Sequence, residues 1–178
     1  AYSSIGHIGY ALAGISTGTV MGYNSSITYI SIYIIMNLGA FGCIFLMKKD
    51  GRYCEDIADL AGISKQNPLL AISFLITMFS LAGIPPLAGF FAKFYIFMSV
   101  IESGMYTLAI IGLLSTVISA FYYLRIIKII YFDEIVNPFD KIKSLGIGTT
   151  VLLSCLILVL FFLYPSILNN IVNILSIK

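Results

Sequence analysis

Ile84-Pro85-Pro86-Leu87-Ala88-Gly89-Phe90-Phe91-Ala92-Lys93-Phe94-Tyr95-Ile96-Phe97-Met98-Ser99-Val100 is the stretch on which the fold of this chain turns. A lysine stands inside a long apolar segment, with a proline pair just upstream. Placing such a charge at the centre of a bilayer costs about 2.5–3.5 kcal/mol on insertion scales. Residues of this kind usually mark an ion or proton path. A low dielectric favours the neutral form of an amine, so a buried lysine can load and unload a proton as a neighbouring charge comes and goes. The competing explanation is snorkelling, with the stem along apolar surface and the ammonium at the interface. That requires the helix to start late.

The rest of the sequence supplies the membrane. Of 178 residues, 60% are hydrophobic and 10% charged, against about 25% charged in an ordinary soluble domain. Mean hydropathy is +1.02. Apolar stretches recur along the whole length, so the chain is expected to be a polytopic integral membrane protein in a lipid bilayer. A net charge of +2 points to neither nucleic acid nor acidic substrates. Cys43, Cys54 and Cys155 form no CxxC pair and no metal spacing with histidine. They are expected to be reduced packing residues, with no zinc or iron–sulfur site here. The chain opens on Ala1 within a helical pattern and is expected to be a piece of a longer protein.

Lipid offers backbone groups no partner, so the spans are expected to be helices and the fold class all-α. Six spans are expected, at about 3–21, 25–47, 68–82, 87–101, 106–131 and 147–164. The cluster KKDGR, Lys48 to Arg52, ends the second. A short interfacial helix follows, with Ile57, Leu60 and Ala61 on one face. Asn67-Pro68 reads as an N-cap and first helical position. Gly83, Pro85, Pro86 and Gly89 break the next stretch and leave the fourth span short. An aqueous loop is expected between the fifth and sixth spans, and the tail after Pro165 is expected to lie along the interface. With six spans, the lysine-bearing loops at 48–65 and 133–143 fall on opposite sides. The positive-inside rule then gives no orientation unless one span is re-entrant.

Several polar groups recur at helical spacing. Ser25, Tyr29, Tyr33 and Asn37 follow one another every four residues. Such a stripe either lines a hydrated path or holds helices together by hydrogen bonds. His7, the single histidine, suits a proton relay and equally suits a hydrogen-bonded packing role. Ser115, Ser119, Tyr122 and Tyr123, ahead of Arg125, extend the path or merely pack. Gly14, Gly18 and Gly22 suggest close helix approach. No phosphate loop, nucleotide fingerprint or nucleophile–base pair is present in the sequence.

Five segments, AYSSIGHIGY (1–10), YIIMNLGAFGC (33–43), EDIADLAG (55–62), FSLAGIPPLAGFFAKFY (79–95) and YYLRIIKIIYFDE (122–134), resemble in this order the antiporter-like membrane subunits of respiratory complex I. EDIADLAG and YLRIIKIIYFDE favour the subunit N branch of bacterial NADH:quinone oxidoreductase. The likeness runs to about Glu134 and weakens beyond it. It implies a parent of about fourteen helices in two inverted repeats. Residues 1–134 would be the second repeat, and 135–178 a loop, the final helix and a tail.

The resemblance also implies a proton-translocating subunit. Lys93 falls on the lysine of the family's broken helix, assigned to proton passage towards the outer side. Lys93, His7, Tyr29, Tyr33, Asn37, Tyr122, Tyr123 and Arg125 would form the path. Related subunits carry His-xxx-His-xxx-Lys where Tyr29, Tyr33 and Asn37 stand here, so held water would carry the proton at that stage. The chain would hold no cofactor. NADH, FMN, iron–sulfur clusters and quinone would belong to other parts of the complex. Its partners would be neighbouring membrane subunits, in a bacterial inner membrane rather than a mitochondrial one. Two alternatives stand: a subunit of a multisubunit cation/proton antiporter, which shares the GFFAKFY-like segment, and a Lys93 that only fixes packing by pairing with a buried acid.

Overall fold

The computed structural model of the chain describes residues 2–49, 52–53, 56–134 and 144–161. Cys54, the loop 135–143 and the tail from 162 lie outside these residues. The described helices are α1 (Tyr2–Ser16), α2 (Val20–Leu46), α3 (Ile63–Gln66), α4 (Pro68–Ala82), α5 (Ala88–Glu102), α6 (Tyr106–Phe132) and α7 (Leu145–Leu160). Thr19 starts α2, its side chain accepting from Gly22 N. Asn67 starts α4 as expected, accepting from Leu70 N at 3.2 Å, with Pro68 in the first turn.

Two local details differ from the sequence reading. The KKDGR cluster does more than stop α2, because β1 (Lys48–Lys49) pairs antiparallel with β2 (Arg52–Tyr53). The expected interfacial helix is split into a 3-10 turn, Ile57–Leu60, and the short α3. Gly62 separates them with φ 71°, a conformation glycine adopts without penalty. Leu60 and Ala61 are buried, and Ile57 is exposed.

The larger difference concerns which end of the bundle each loop occupies. Gly62 N donates to Ile129 O at 3.3 Å, so the segment after α2 rests against the last turns of α6. Phe132, the last residue of α6, and Glu134 after it lie at that same end. The lysine-bearing segment after α2 and the end of α6 therefore share one end, where the six-span reading puts them on opposite sides. At the other end Ser16 Oγ meets Met105 Sδ at 3.9 Å, tying the α1–α2 turn to the start of α6.

The geometry of α4 and α5 explains this. Each has 15 residues, about 22 Å of helix, while the 27 residues of α6 run about 40 Å. α4 begins at the lysine end, where α3 rests on α6. α5 packs on the first half of α6, where Phe97 fills the space beside Gly112. The two short helices therefore follow one another along α6 rather than doubling back. The expected third and fourth spans are two halves of one interrupted rod.

α2 sits at the centre, touching α1, α4, α5 and α7. Tyr29, Ile32, Met36 and Cys43 are buried along it. Gly14 and Gly22 lie on facing helices, and an added Cβ on Gly22 would meet the Gly14 carbonyl. Gly18, between them, is in the turn with φ 67°, so the three glycines are not one helix face. The outside is as apolar as the inside. Val117, Ile118 and Phe121 on α6 are 70–72% exposed. By length and composition α2 and α6 are each able to cross a membrane.

Candidate functional site

The break after α4 is built by a glycine. Gly83, with φ 85°, lets its own N–H reach Ser80 O at 3.0 Å and Ile84 N reach Phe79 O at 3.0 Å. These are the paired bonds that close a helix C-terminus. They satisfy two of the last four carbonyls and leave those of Leu81 and Ala82. Lys93 takes both. Its Nζ donates to Leu81 O at 3.1 Å and to Ala82 O at 3.0 Å. The ammonium thus sits at the negative end of the α4 dipole, where a cation is favoured. Lys93 is 5% exposed, so it does not snorkel. Among the described residues no acidic side chain pairs with it.

Lys93 reaches those carbonyls because α5 approaches α4 closely at Gly89. Gly89 N donates to Ser80 Oγ at 3.1 Å, and a Cβ on Gly89 would run into the Ser80 carbonyl. The Pro85-Pro86 peptide is cis. On its other side the Lys93 ammonium lies 5.2 Å from the centre of the Tyr10 ring, within cation–π range.

A string of hydrogen bonds occupies the lysine-end half of the bundle. His7, 2% exposed, bonds through Nδ1 to Tyr29 Oη at 2.7 Å and through Nε2 to Tyr123 Oη at 2.9 Å. Tyr123 continues to Ser3 Oγ. A neutral imidazole has one donor and one acceptor nitrogen, and each phenol can donate or accept. The His7 proton can therefore sit on either ring nitrogen with both nitrogens still hydrogen-bonded. Tyr33 stacks on the His7 ring, centroids 4.6 Å apart. Tyr122 lies against Tyr123 and lines a cavity with His7.

The structure thus gathers Lys93, His7, Tyr29, Tyr33, Tyr122 and Tyr123 with the glycine–proline break. It does not bring in the other two expected residues. Asn37 turns away, donating to Tyr33 O at 3.1 Å and lining an outer groove against α7. A four-residue step overshoots a turn by about 40°, so the stripe from Ser25 has rotated off the cluster by Asn37. Arg125 is exposed on α6. Sequence reasoning missed Tyr10 and Ser3. Tyr10 shares the His7 face of α1 at i+3 spacing, which was the available signal.

A family model described as NADH:quinone oxidoreductase/Mrp antiporter, transmembrane, matches residues 1–119, which include the whole break and Lys93. The chain belongs to this family. NADH-quinone oxidoreductase subunit N of Pelagibacter ubique is 56% identical over 177 residues, covering 99% of this chain and 38% of the relative. The chain therefore spans well under half the length of the curated relatives it matches. Among solved structures, respiratory complex I from Thermus thermophilus with bound aureothin matches with a TM-score of 0.76 and 28% identity, over 93% of this chain and 37% of that one. The Mrp complex from Dietzia sp. matches with a TM-score of 0.80 over 94% of this chain and 40% of that one. At 21% identity that second likeness shows the common fold alone. A transmembrane family accounts for the apolar exterior of α6 and places the buried Lys93 of this member in a membrane setting.

Proposed function

We propose that this chain is the C-terminal portion of a subunit N-type membrane subunit of NADH:quinone oxidoreductase and that it passes protons through Lys93. Residues 1–134 are then the second antiporter-like repeat, followed by a loop, a final helix and a tail. The observation that carries this reading is a buried lysine held by the two orphan carbonyls of a broken helix, with a hydrogen-bonded string nearby. A lysine there can release a proton and keep a place to return to. NADH, FMN, iron–sulfur clusters and quinone belong to other subunits, and neighbouring membrane subunits supply the changing charge that loads and unloads Lys93.

In this reading α4 and α5 share one crossing, and the described helices cross the membrane five times, by α1, α2, α4 with α5, α6 and α7. Lys48, Lys49, Arg52 and Lys65 then lie on one side, which the positive-inside rule assigns to the cytoplasm of a bacterial inner membrane. α5 leads from Lys93 to the outer side. Single cysteines test this, in full-length chain with its native cysteines replaced by alanine. In right-side-out vesicles an impermeant maleimide labels Ser103→Cys and leaves Gln66→Cys and Glu134→Cys unreacted. Labelling of Gln66→Cys and Glu134→Cys from opposite faces would refute the shared crossing.

The second reading, a subunit of a multisubunit cation/proton antiporter, draws on the family description, which names the Mrp antiporter beside NADH:quinone oxidoreductase. Deleting the full-length chain separates the two. The first reading expects membranes to lose quinone-dependent NADH oxidation and the proton uptake it drives. Loss of NADH-independent sodium/proton exchange, with NADH oxidation intact, would establish the second.

A further inference from the structure

We infer that the Tyr10 hydroxyl is the hand-over point for protons between two separate cavities, one containing His7 and the other Lys93. This rests on the proton-path reading of Lys93.

The first cavity, about 190 Å³, lies between α1 and α6 and is lined by Ser3, His7, Tyr10, Ser115, Ser119 and Tyr122 among others. It reaches towards the lysine end. The second, about 270 Å³, lies between α5 and α6, with Lys93, Gly83, Phe97, Leu113 and Thr116 in its walls. It reaches towards the Met105 end. Both are half open, the first beside exposed Tyr2 and Ile118 and the second beside exposed Phe94 and Leu113, and each has room for several waters. The first is rich in hydroxyls, and the second is apolar apart from Lys93 and Thr116. Neighbouring residues of α6 divide between them, Ser115 in the first and Thr116 in the second.

Tyr10 stands at the division. Its Oη lies 3.2 Å from Ser115 Oγ and 2.8 Å from Thr116 Oγ1. Its ring faces the Lys93 ammonium at 5.2 Å and meets the Phe97 ring edge-on at 5.9 Å. Tyr10 is itself 5% exposed. One hydroxyl therefore bonds to a lining group of each cavity, while its ring and Phe97 fill the space between them. A phenol passes a proton by accepting one on an oxygen lone pair and releasing the one it holds, and ends unchanged. The ring meanwhile keeps water in one cavity from joining water in the other. Protons cross and a continuous water leak does not form.

The test uses Tyr10→Phe and Thr116→Val in the full-length chain within its assembled complex, beside Lys93→Arg. Phenylalanine keeps the ring and its contact with Lys93, and valine keeps the shape of threonine. NADH-driven proton translocation is expected to fall to about a tenth of native or less in each. The solvent deuterium isotope effect on translocation is expected to rise, because the hand-over becomes limiting. A packing role would not move that effect. Native translocation in Tyr10→Phe, or reduced translocation with a native isotope effect, overturns the inference while a defective Lys93→Arg leaves the Lys93 reading standing. Native translocation in Lys93→Arg overturns both. If Tyr10→Phe does not assemble, Thr116→Val decides by the same two readouts.

Discussion

Gly89→Ala is expected to abolish assembly of the chain into its complex. The added Cβ would overlap the Ser80 carbonyl and lie 3.0 Å from Ser80 Oγ. The carbonyl is fixed backbone in the last turn of α4, already accepting from Gly83 N at 3.0 Å. It has no rotamer through which to yield. α5 must move off α4, and it carries Lys93 with it, because Lys93 is one helical turn beyond Gly89 on the same face. Overpacking alone costs about 1–3 kcal/mol. Each lost bond from Lys93 to Leu81 or Ala82 adds a penalty of about 1–3 kcal/mol for an orphaned buried carbonyl. Against a native stability of about 5–15 kcal/mol this is a large fraction. The amount of assembled complex in detergent-solubilised membranes measures it, and native levels in Gly89→Ala would contradict the close α4–α5 junction. Gly6 and Gly9 contrast with Gly89, since an added Cβ there meets open space.

Lys93→Met is expected to lower assembly and abolish proton translocation. Methionine keeps most of the apolar stem and removes the cation. The Leu81 and Ala82 carbonyls then lose both donors at the negative end of a helix. The cost is about 2–6 kcal/mol for the pair. The helix end itself survives, because the bonds from Gly83 N to Ser80 O and from Ile84 N to Phe79 O do not involve Lys93. Some assembled complex should therefore remain, and that fraction should translocate no protons through this chain. Assembly is read from solubilised membranes, and translocation from proton uptake by inverted vesicles supplied with NADH. Assembled Lys93→Met complex with native uptake would exclude Lys93 from the path.

Much of this arrangement was legible in the sequence. Asn67-Pro68 marked the start of α4, and Gly83-Ile84-Pro85-Pro86 marked its end, because capping and proline act locally. Lys93 was legible because a charge in an apolar run is conspicuous. Whether α4 and α5 run on in one line or double back was not. Apolar length counts helices and is silent on whether Gly83–Leu87 reverses the chain or lets it continue. One distant bond, from Gly62 to Ile129, decides that. The polar stripe of α2 was half legible. Tyr29 and Tyr33 meet His7, and Asn37 has rotated towards α7. Tyr10 was overlooked because a tyrosine in an apolar helix is ordinary until its hydroxyl is seen between two cavities.

Lys93 could be a pure helix cap or a cap that also releases protons, and Lys93→Arg separates these directly. Arginine keeps a positive charge and donors for the Leu81 and Ala82 carbonyls but does not give up its proton in proteins. The measurement is protons moved per NADH oxidised by assembled complex carrying Lys93→Arg in the full-length chain. Proton passage through Lys93 predicts assembly near the native level and a loss of translocation. Native assembly with a native proton yield would show that Lys93 only closes the end of α4.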